Sequence, residues 1–421
     1  MIHTFELFPG VTLRCYPDQR FKHGCVSLQL VRPMCREEAA LNALLPAVLL
    51  RGCGSCPDLR DITLRLDDLY GASVGALVRR VGDYQTTGFY CNFMEDRFAF
   101  DGDAILAPML EFVGSLLLEP ILENGCFFAD YVESEKKNLI ATIESELNDK
   151  RAYSMSRLLR ILCREDTFGV PRLGEAEAVA KITPEELYHH YRYILKTSPI
   201  EIFYVGSAEA SQVAQLLMPL LKRLDRAMVP LASQTPFHSC ERKDEVEIMD
   251  VAQGKLCMGF VTPITNCRKD FVAMQLLNVI YGSGMTSKLF VNVREKMSLC
   301  YSIGSGYYGT KGILVVSAGI DFDKEQLTRE EVLRQLDICR NGGITEQELR
   351  AAKEALLSSL RSTLDSPGAI EGYYATAALS GLIFSHNEYM EAVEAVTIED
   401  VVQCANTLEL HTTYFLKGGS Q

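Results

Sequence analysis

An α+β fold in two similar halves is what this chain predicts, each half an antiparallel sheet with helices packed on one face. Three observations carry that expectation. The first is length: 421 residues exceed what one hydrophobic core usually supports, and 48% hydrophobic residues suffice for two cores. The second is that both halves open on alternating apolar runs with strand character, GVTLRCYPD and VSLQLVRP early on, DEVEIMDV and GKLCMGFVTP from about residue 244. The third is a set of landmarks that recur in one order at nearly constant separation.

Asn124-Gly125 precedes the acidic helical stretch DYVESEKKNLIATIESEL, and Asn341-Gly342 precedes ITEQELRAAKEALLSSLRSTL. Thr183-Pro-Glu-Glu186 and Thr397-Ile-Glu-Asp400 are capping boxes, in which the threonine oxygen accepts from the N3 amide and the N3 acid reaches back. Each opens a helix leading to a last strand, PIEIFYVGS in one half and HTTYFLKG in the other. Ser73-Val74-Gly75 and Ser302-Ile303-Gly304 fill a third matching place. Between the halves, residues 224–243 (LDRAMVPLASQTPFHSCERK) carry two prolines and a charge cluster and read as a linker. The expected domains are therefore 1–223 and 244–421, facing each other as a clamshell.

A net charge of -13 and a pI near 5.2 argue against nucleic acid, which needs a basic face, and against an anionic membrane surface. No basic-then-apolar leader opens MIHTFELFPG, and no stretch reaches eighteen uninterrupted apolar residues. The expected location is the cytoplasm, where fourteen cysteines read as thiols.

Residues 40–56, ALNALLPAVLLRGCGSC, give an apolar helix ending at Arg51-Gly52. With the two α+β halves, this resembles the pitrilysin/insulinase peptidases, the inverzincins whose zinc motif is H-x-x-E-H. The resemblance spans nearly the whole chain. Aligned on Arg51-Gly52, Ala43 and Ala47 stand at the two histidine positions and Pro46 at the glutamate. Two methyl groups and a pyrrolidine supply neither a metal ligand nor a base for the metal-bound water. Among His3, His23, His189, His190, His238, His386 and His411, no pair is spaced to share a metal from one helix face. The family's remaining zinc ligand is a glutamate on the acidic helix, near Glu144 or Glu146. No metal and no cofactor is expected in this chain. Inside a helix Pro46 costs about 3 kcal/mol, unless the helix begins only at Leu45.

Cys53-Gly-Ser-Cys56 raises a redox pair or half of a zinc site. No second C-x-x-C completes a four-cysteine site, and a strand before the motif is missing, so a turn with two incidental thiols is the plainer reading. A helix starting at Pro57-Asp58 would lower the Cys56 pKa.

The stretch SKLFVNVREKMSLCYSIGSGYY, residues 287–308, resembles the second-half signature of the same family, in which an arginine and a tyrosine seven residues later bind the substrate peptide. Arg294 and Tyr301 match it, and Tyr281-Gly-Ser-Gly-Met matches the glycine-rich turn before it. A guanidinium can donate two hydrogen bonds to a main-chain carbonyl, and a phenol can donate to a developing oxyanion. On spacing alone, an arginine paired with Glu295 and a core-facing tyrosine compete with that role; the L-F-x-x-V-R-E-K-x-x-L-x-Y-S string favours the signature.

Relatives of this type work in pairs, one subunit with H-x-x-E-H and one with the arginine and tyrosine. The resemblance implies a non-catalytic, substrate-binding subunit of a heterodimeric zinc metallopeptidase, inactive alone, with the zinc and the paralogous subunit as partners and a peptide as substrate. The alternative is a peptidase-derived binding or scaffold protein acting without a partner. Similar bacterial chains are associated with peptide maturation or elongation factor P modification. A redox protein and a self-sufficient peptidase are the weaker readings.

Overall fold

The structure, a computed structural model, describes residues 2–232, 234–237 and 241–419. The chain forms two compact units, one of Met1–Glu144, Val170–Ser233 and Thr363–Leu379, the other of Ser145–Gly169, Gln234–Ser362 and Ser380–Gln421. These are not the contiguous domains 1–223 and 244–421: residues 145–169 pack with the second unit and 363–379 with the first. The reason is local, since each segment carries a helix that covers the second face of that unit's sheet, Lys150–Leu162 through an apolar stripe and Pro367–Ser380 through buried Glu371. Of the expected linker 224–243, the described residues 224–232, 234–237 and 241–242 hold no helix or strand, Lys243 opens a strand, and residues 233 and 238–240, His238 included, lie outside the described residues.

In the first unit the strands are β1 (His3–Phe8), β2 (Val11–Pro17), β3 (His23–Pro33), β4 (Ser73–Val81) and β5 (Tyr84–Met94). Two-residue strands β6 (Leu122–Glu123) and β7 (Cys126–Phe127) pair across Asn124-Gly125, whose φ of +51° and +82° is the left-handed geometry that favours Asn-Gly in tight hairpins. With β8 (Ile200–Gly206), the main sheet runs β1-β2-β8-β3-β5-β4.

The second unit holds β9 (Lys243–Ile248), β10 (Gly254–Val261), β11 (Cys300–Tyr308), β12 (Ile313–Ile320) and β13 (Glu409–Lys417), in the order β11-β12-β10-β13-β9. That is the order β4-β5-β3-β8-β2 over again. The match extends to direction: β2 with β8 and β9 with β13 are the parallel pairs, and the remaining ladders are antiparallel. Among the described residues, β1 of the six-stranded sheet and the β6–β7 hairpin lack counterparts.

The helical landmarks coincide as well. Ala129–Ser145 and Glu346–Ser362 are helices of 17 residues each. Asn341-Gly342 departs from its twin in being a helix end, with Asn341 capping Glu325–Arg340 and Gly342 at φ +77°. Thr183 accepts from the Glu186 amide at 3.1 Å, and Thr397 forms the reciprocal box with Asp400 at 3.2 and 2.8 Å.

Period-two alternation decides which face of each sheet meets the main core. Along β3, Val26, Leu28 and Leu30 enter a core with Leu41, Leu44, Leu45 and Val48 of the Arg36–Leu49 helix. Its other face places Ser27 and Gln29 under the Pro367–Ser380 helix, whose buried Glu371 accepts from Ser27 at 2.6 Å and from Arg79 through two bonds of 2.8 Å. In the second unit the Lys150–Leu162 helix packs Leu158 and Leu162 on Cys257, Tyr414 and Leu416. Each sheet thus carries one helix on its second face in addition to the group on the first. Among the described residues, no helix is long and apolar enough to cross a membrane.

Candidate functional site

The Arg36–Leu49 helix begins at Cys35, well before Leu45, so Pro46 lies in its last turns instead of at its start. Proline has no N–H, which orphans the carbonyl four residues earlier, that of Asn42. Thr87 of β5 supplies the missing donor: its hydroxyl bonds to the Asn42 carbonyl at 2.6 Å. The Asn42 amide donates to Gln85 at 2.9 Å, and its oxygen meets His190 Nε2 at 2.7 Å. Gln85 in turn donates to the Ala39 and Arg172 carbonyls. This network is buried and internally satisfied. Burial holds the His190 imidazole down to a pKa of about 4, so it is neutral near pH 7 and its Nε2 donates.

Ala43 and Pro46 are buried and Ala47 half-buried, so apolar atoms stand where a metal would need donors. These residues do not fit a zinc ion. Among the described residues, no group of three His, Cys, Asp or Glu side chains converges to hold a metal. At the helix end, Arg51 pairs with Glu135 at 2.9 Å, donates to Ser134 at 2.7 Å and stacks over Tyr131. The acidic helix therefore meets the motif helix through Glu135. Glu144 is exposed near its end and Glu146 is half-buried in the turn beyond.

Cys53 and Cys56 exchange backbone hydrogen bonds of 2.8 and 3.0 Å, which closes a tight turn. Both are buried thiols. Asp58, not Pro57, caps the next helix, Leu59–Asp68. The expected lowering of the Cys56 pKa is reversed: burial pushes its thiol up, because desolvation of the thiolate outweighs the pull of Ser55 and Arg65.

The signature segment is wound unusually. Val279–Ser283 and Leu289–Lys296 are π-helical, and the Met297 amide donates to the Asn292 carbonyl across the wider turn. A glycine is required at 282, where a Cβ would stand 2.6 Å from the Ser305 hydroxyl. Arg294 projects half-exposed from the second π-turn, its guanidinium 4.7 Å from the Phe290 ring centroid and 3.6 Å from Glu295. Tyr301 is the extra residue of a β-bulge: Cys300 pairs with Ile320 and Ser302 with Gly319, which leaves Tyr301 without a partner on β12. Its side chain is 62% exposed, not core-facing, and its hydroxyl donates to Asp321 at 3.0 Å.

Asp321 is shared, since Lys324 also contacts it at 2.8 Å and reaches the Ser298 carbonyl. Lys324 and the Tyr301 hydroxyl hold the Asp321 carboxyl below its usual range, and donating that bond raises the Tyr301 phenol. Cys300 beside them is pushed up to about 11 by burial, against the pull of Arg294 and Lys324. Arg294 and Tyr301 thus engage separate partners and flank one end of β11.

Comparison with known proteins matches residues 181–356 to the peptidase M16 inactive domain, a span that includes Arg294 and Tyr301. The probable inactive metalloprotease YmfF of Bacillus subtilis is 29% identical over 97% of this chain and 96% of its own. This chain is thus similar to M16 peptidase homologues, over residues 181–356 to the family's inactive domain and over nearly its whole length to YmfF. A crystal structure of a conserved protein from Enterococcus faecalis superposes with TM-score 0.90 and 26% identity, covering 100% of this chain and 99% of that one. The M16 inactive domain from Pseudomonas fluorescens shares the fold at TM-score 0.81 and 19% identity, with 100% and 98% covered.

Within this M16 fold, several residues around the candidate site escape sequence reading. Asp321 and Lys324 come to Tyr301 only because β11 and β12 are paired, and no spacing announces that. Glu135 escapes because helix phase, not acidity, decides which carboxylate meets Arg51. Asn42 carries a visible signal, a polar residue inside an apolar run four positions before a proline.

Proposed function

We propose that this chain is the non-catalytic, substrate-binding subunit of a heterodimeric zinc metallopeptidase acting on peptides, with the metal held by a paralogous partner. One observation carries the reading: apolar side chains replace the ligands of the zinc motif, while Arg294 and Tyr301 remain at the surface. A guanidinium stacked on Phe290 keeps donors free for a main-chain carbonyl. A phenol on a bulge can donate where negative charge develops on a carbonyl oxygen. The chain works in the cytoplasm in this reading, and substrates arising in peptide maturation or elongation factor P modification are in keeping with it.

Purification from native cells tests the pairing. A zinc-bearing M16 paralogue should co-elute with this chain in equal amount, and neither protein alone should cleave peptides at the rate of the pair.

A second reading, a binding or scaffold protein, is favoured by the partners both side chains already have. Glu295 lies beside Arg294, and Asp321 accepts the hydrogen bond of the Tyr301 hydroxyl. Peptidase activity of the paralogue that does not depend on Arg294 or Tyr301 would put this reading first.

A further inference from the structure

Lys324 sits where three segments of the second unit meet. Asp321 follows β12 and precedes a short 3-10 turn, Phe322–Lys324, whose amides its side chain does not cap. The carboxylate is left to other donors, one on each oxygen: Oδ1 accepts from the Tyr301 hydroxyl at 3.0 Å, and Oδ2 meets the Lys324 ammonium at 2.8 Å. The turn itself brings Lys324 there, since its backbone amide donates to the Asp321 carbonyl at 3.1 Å. The same ammonium donates to the Ser298 carbonyl at 3.3 Å. Ser298 lies between Arg294 and Tyr301 with a φ of +50°, and its amide donates to the Arg294 carbonyl at 3.1 Å. A non-glycine residue in that left-handed conformation persists where its surroundings hold it.

This sharing matters for a donor that has to let go. A phenol bonded to a carboxylate makes a charge-assisted hydrogen bond, which resists transfer to a neutral carbonyl. An ammonium on the other oxygen draws off part of the negative charge, so the phenol is held less firmly, and the carboxylate stays paired once the phenol has gone. The ionisation of Tyr301 follows the same balance: Asp321 raises the phenol, and Lys324 opposes that rise. Release leaves the sheet intact, because Tyr301 is the bulge residue and has no partner on β12.

We propose that Lys324 is a positioning residue for Tyr301: stationed at the Ser298 carbonyl, it holds Asp321 and lets the Tyr301 hydroxyl leave that carboxylate for the carbonyl of a bound peptide. Its role rests on Tyr301 donating to substrate, the function proposed above, and supplies the group that sets how readily Tyr301 is released. The Lys324 and Asp321 side chains are 35% and 40% exposed, so solvent screens the pair and the effect is modest.

The test uses the full chain assembled with the zinc-bearing paralogue that co-purifies with it. Lys324→Met should lower kcat about two- to fivefold with little change in KM, and Lys324→Arg, which keeps the charge, should recover most of the loss. Asp321→Ala added to Lys324→Met should return kcat to at least the wild-type value, because the carboxylate that retains Tyr301 is gone. A merely structural Lys324 predicts a double variant no better than the single one, and that result overturns the proposal. With Tyr301→Phe already present, Lys324→Met should change nothing further. Wild-type kcat in Lys324→Met, while Tyr301→Phe lowers it, overturns the role of Lys324 and leaves that of Tyr301 standing. If Tyr301→Phe is itself without effect, or no such paralogue co-purifies, the function proposed above falls and the role of Lys324 with it. A second readout needs no partner. In the isolated chain, with tyrosine labelled at the ζ carbon and Tyr301 assigned by its loss in Tyr301→Phe, the Tyr301 resonance should titrate at higher pH in Lys324→Met and at lower pH in Asp321→Ala. An unchanged titration in Lys324→Met overturns the proposal.

Discussion

The Thr87 hydroxyl donates to the Asn42 carbonyl at 2.6 Å, the group that Pro46 leaves without its helical partner. A buried carbonyl with no donor costs about 1–3 kcal/mol. Thr87→Val should therefore lower unfolding free energy by that amount in urea titrations. Adding Pro46→Ala returns the backbone N–H and should recover most of the loss. No recovery would mean that Thr87 acts through packing and not through this bond.

His190 gives stability a defined pH dependence. Its imidazole is neutral in the fold down to about pH 4, whereas the unfolded chain takes up the proton below about 6.5. Stability present above pH 6.5 should be lost as pH falls toward 4, about 3 kcal/mol in all from this residue. His190→Gln keeps a donor toward Asn42 and removes the titration. The difference between wild type and variant should shrink with falling pH across that window, and a constant difference would contradict the assignment.

How much of this was legible in the sequence follows from which forces are local. Asn124-Gly125, Thr183 and Thr397 announce turns and caps that depend on a few neighbouring residues, and they located the repeat. The start of the Arg36–Leu49 helix stays open in the sequence because proline's local penalty is offset by Thr87 of β5, far along the chain. The placement of residues 145–169 is hidden for the same reason, since the amphipathic Lys150–Leu162 helix records that it covers a sheet but not which one, and the Pro367–Ser380 helix has no apolar stripe to read at all. Arg294 and Tyr301 were named from a string of residues, yet exposure of Tyr301 rests on a bulge that strand alternation does not foresee.

Cys53 and Cys56 should be slow to react. Burial covers both, and it raises the Cys56 thiol, so little thiolate is offered near pH 7. Iodoacetamide followed by mass analysis should label exposed Cys267 well before either. The double serine variant should fold and keep any activity of the assembled protein; loss of activity at unchanged stability would restore a redox role.

Metal content provides a check that needs no substrate. With Ala43, Pro46 and Ala47 at the motif positions, the isolated chain should carry zinc far below one equivalent by elemental analysis. Chelator should leave its melting temperature unchanged. One tightly bound zinc per chain would mean that donors from elsewhere assemble a site.

The bond between Tyr301 and Asp321 makes the catalytic contribution of this subunit testable in both directions. If Tyr301 donates to a developing oxyanion, it must first leave Asp321, and the carboxylate both holds its proton and raises its pKa, which weakens it as a donor. Tyr301→Phe should then lower kcat of the reconstituted pair, by on the order of a hundredfold if this is a principal oxyanion donor. Asp321→Ala should move kcat the other way, because it frees the phenol while leaving it in place. If Arg294 holds the peptide in ground and transition states alike, Arg294→Ala should mainly raise KM. Association of the subunits, followed by sizing, should be unchanged in all three variants. The opposed effects of Tyr301→Phe and Asp321→Ala are what separate transition-state donation from a scaffold. A scaffold role predicts wild-type kcat for both, and a role confined to local stability predicts that both variants fall together.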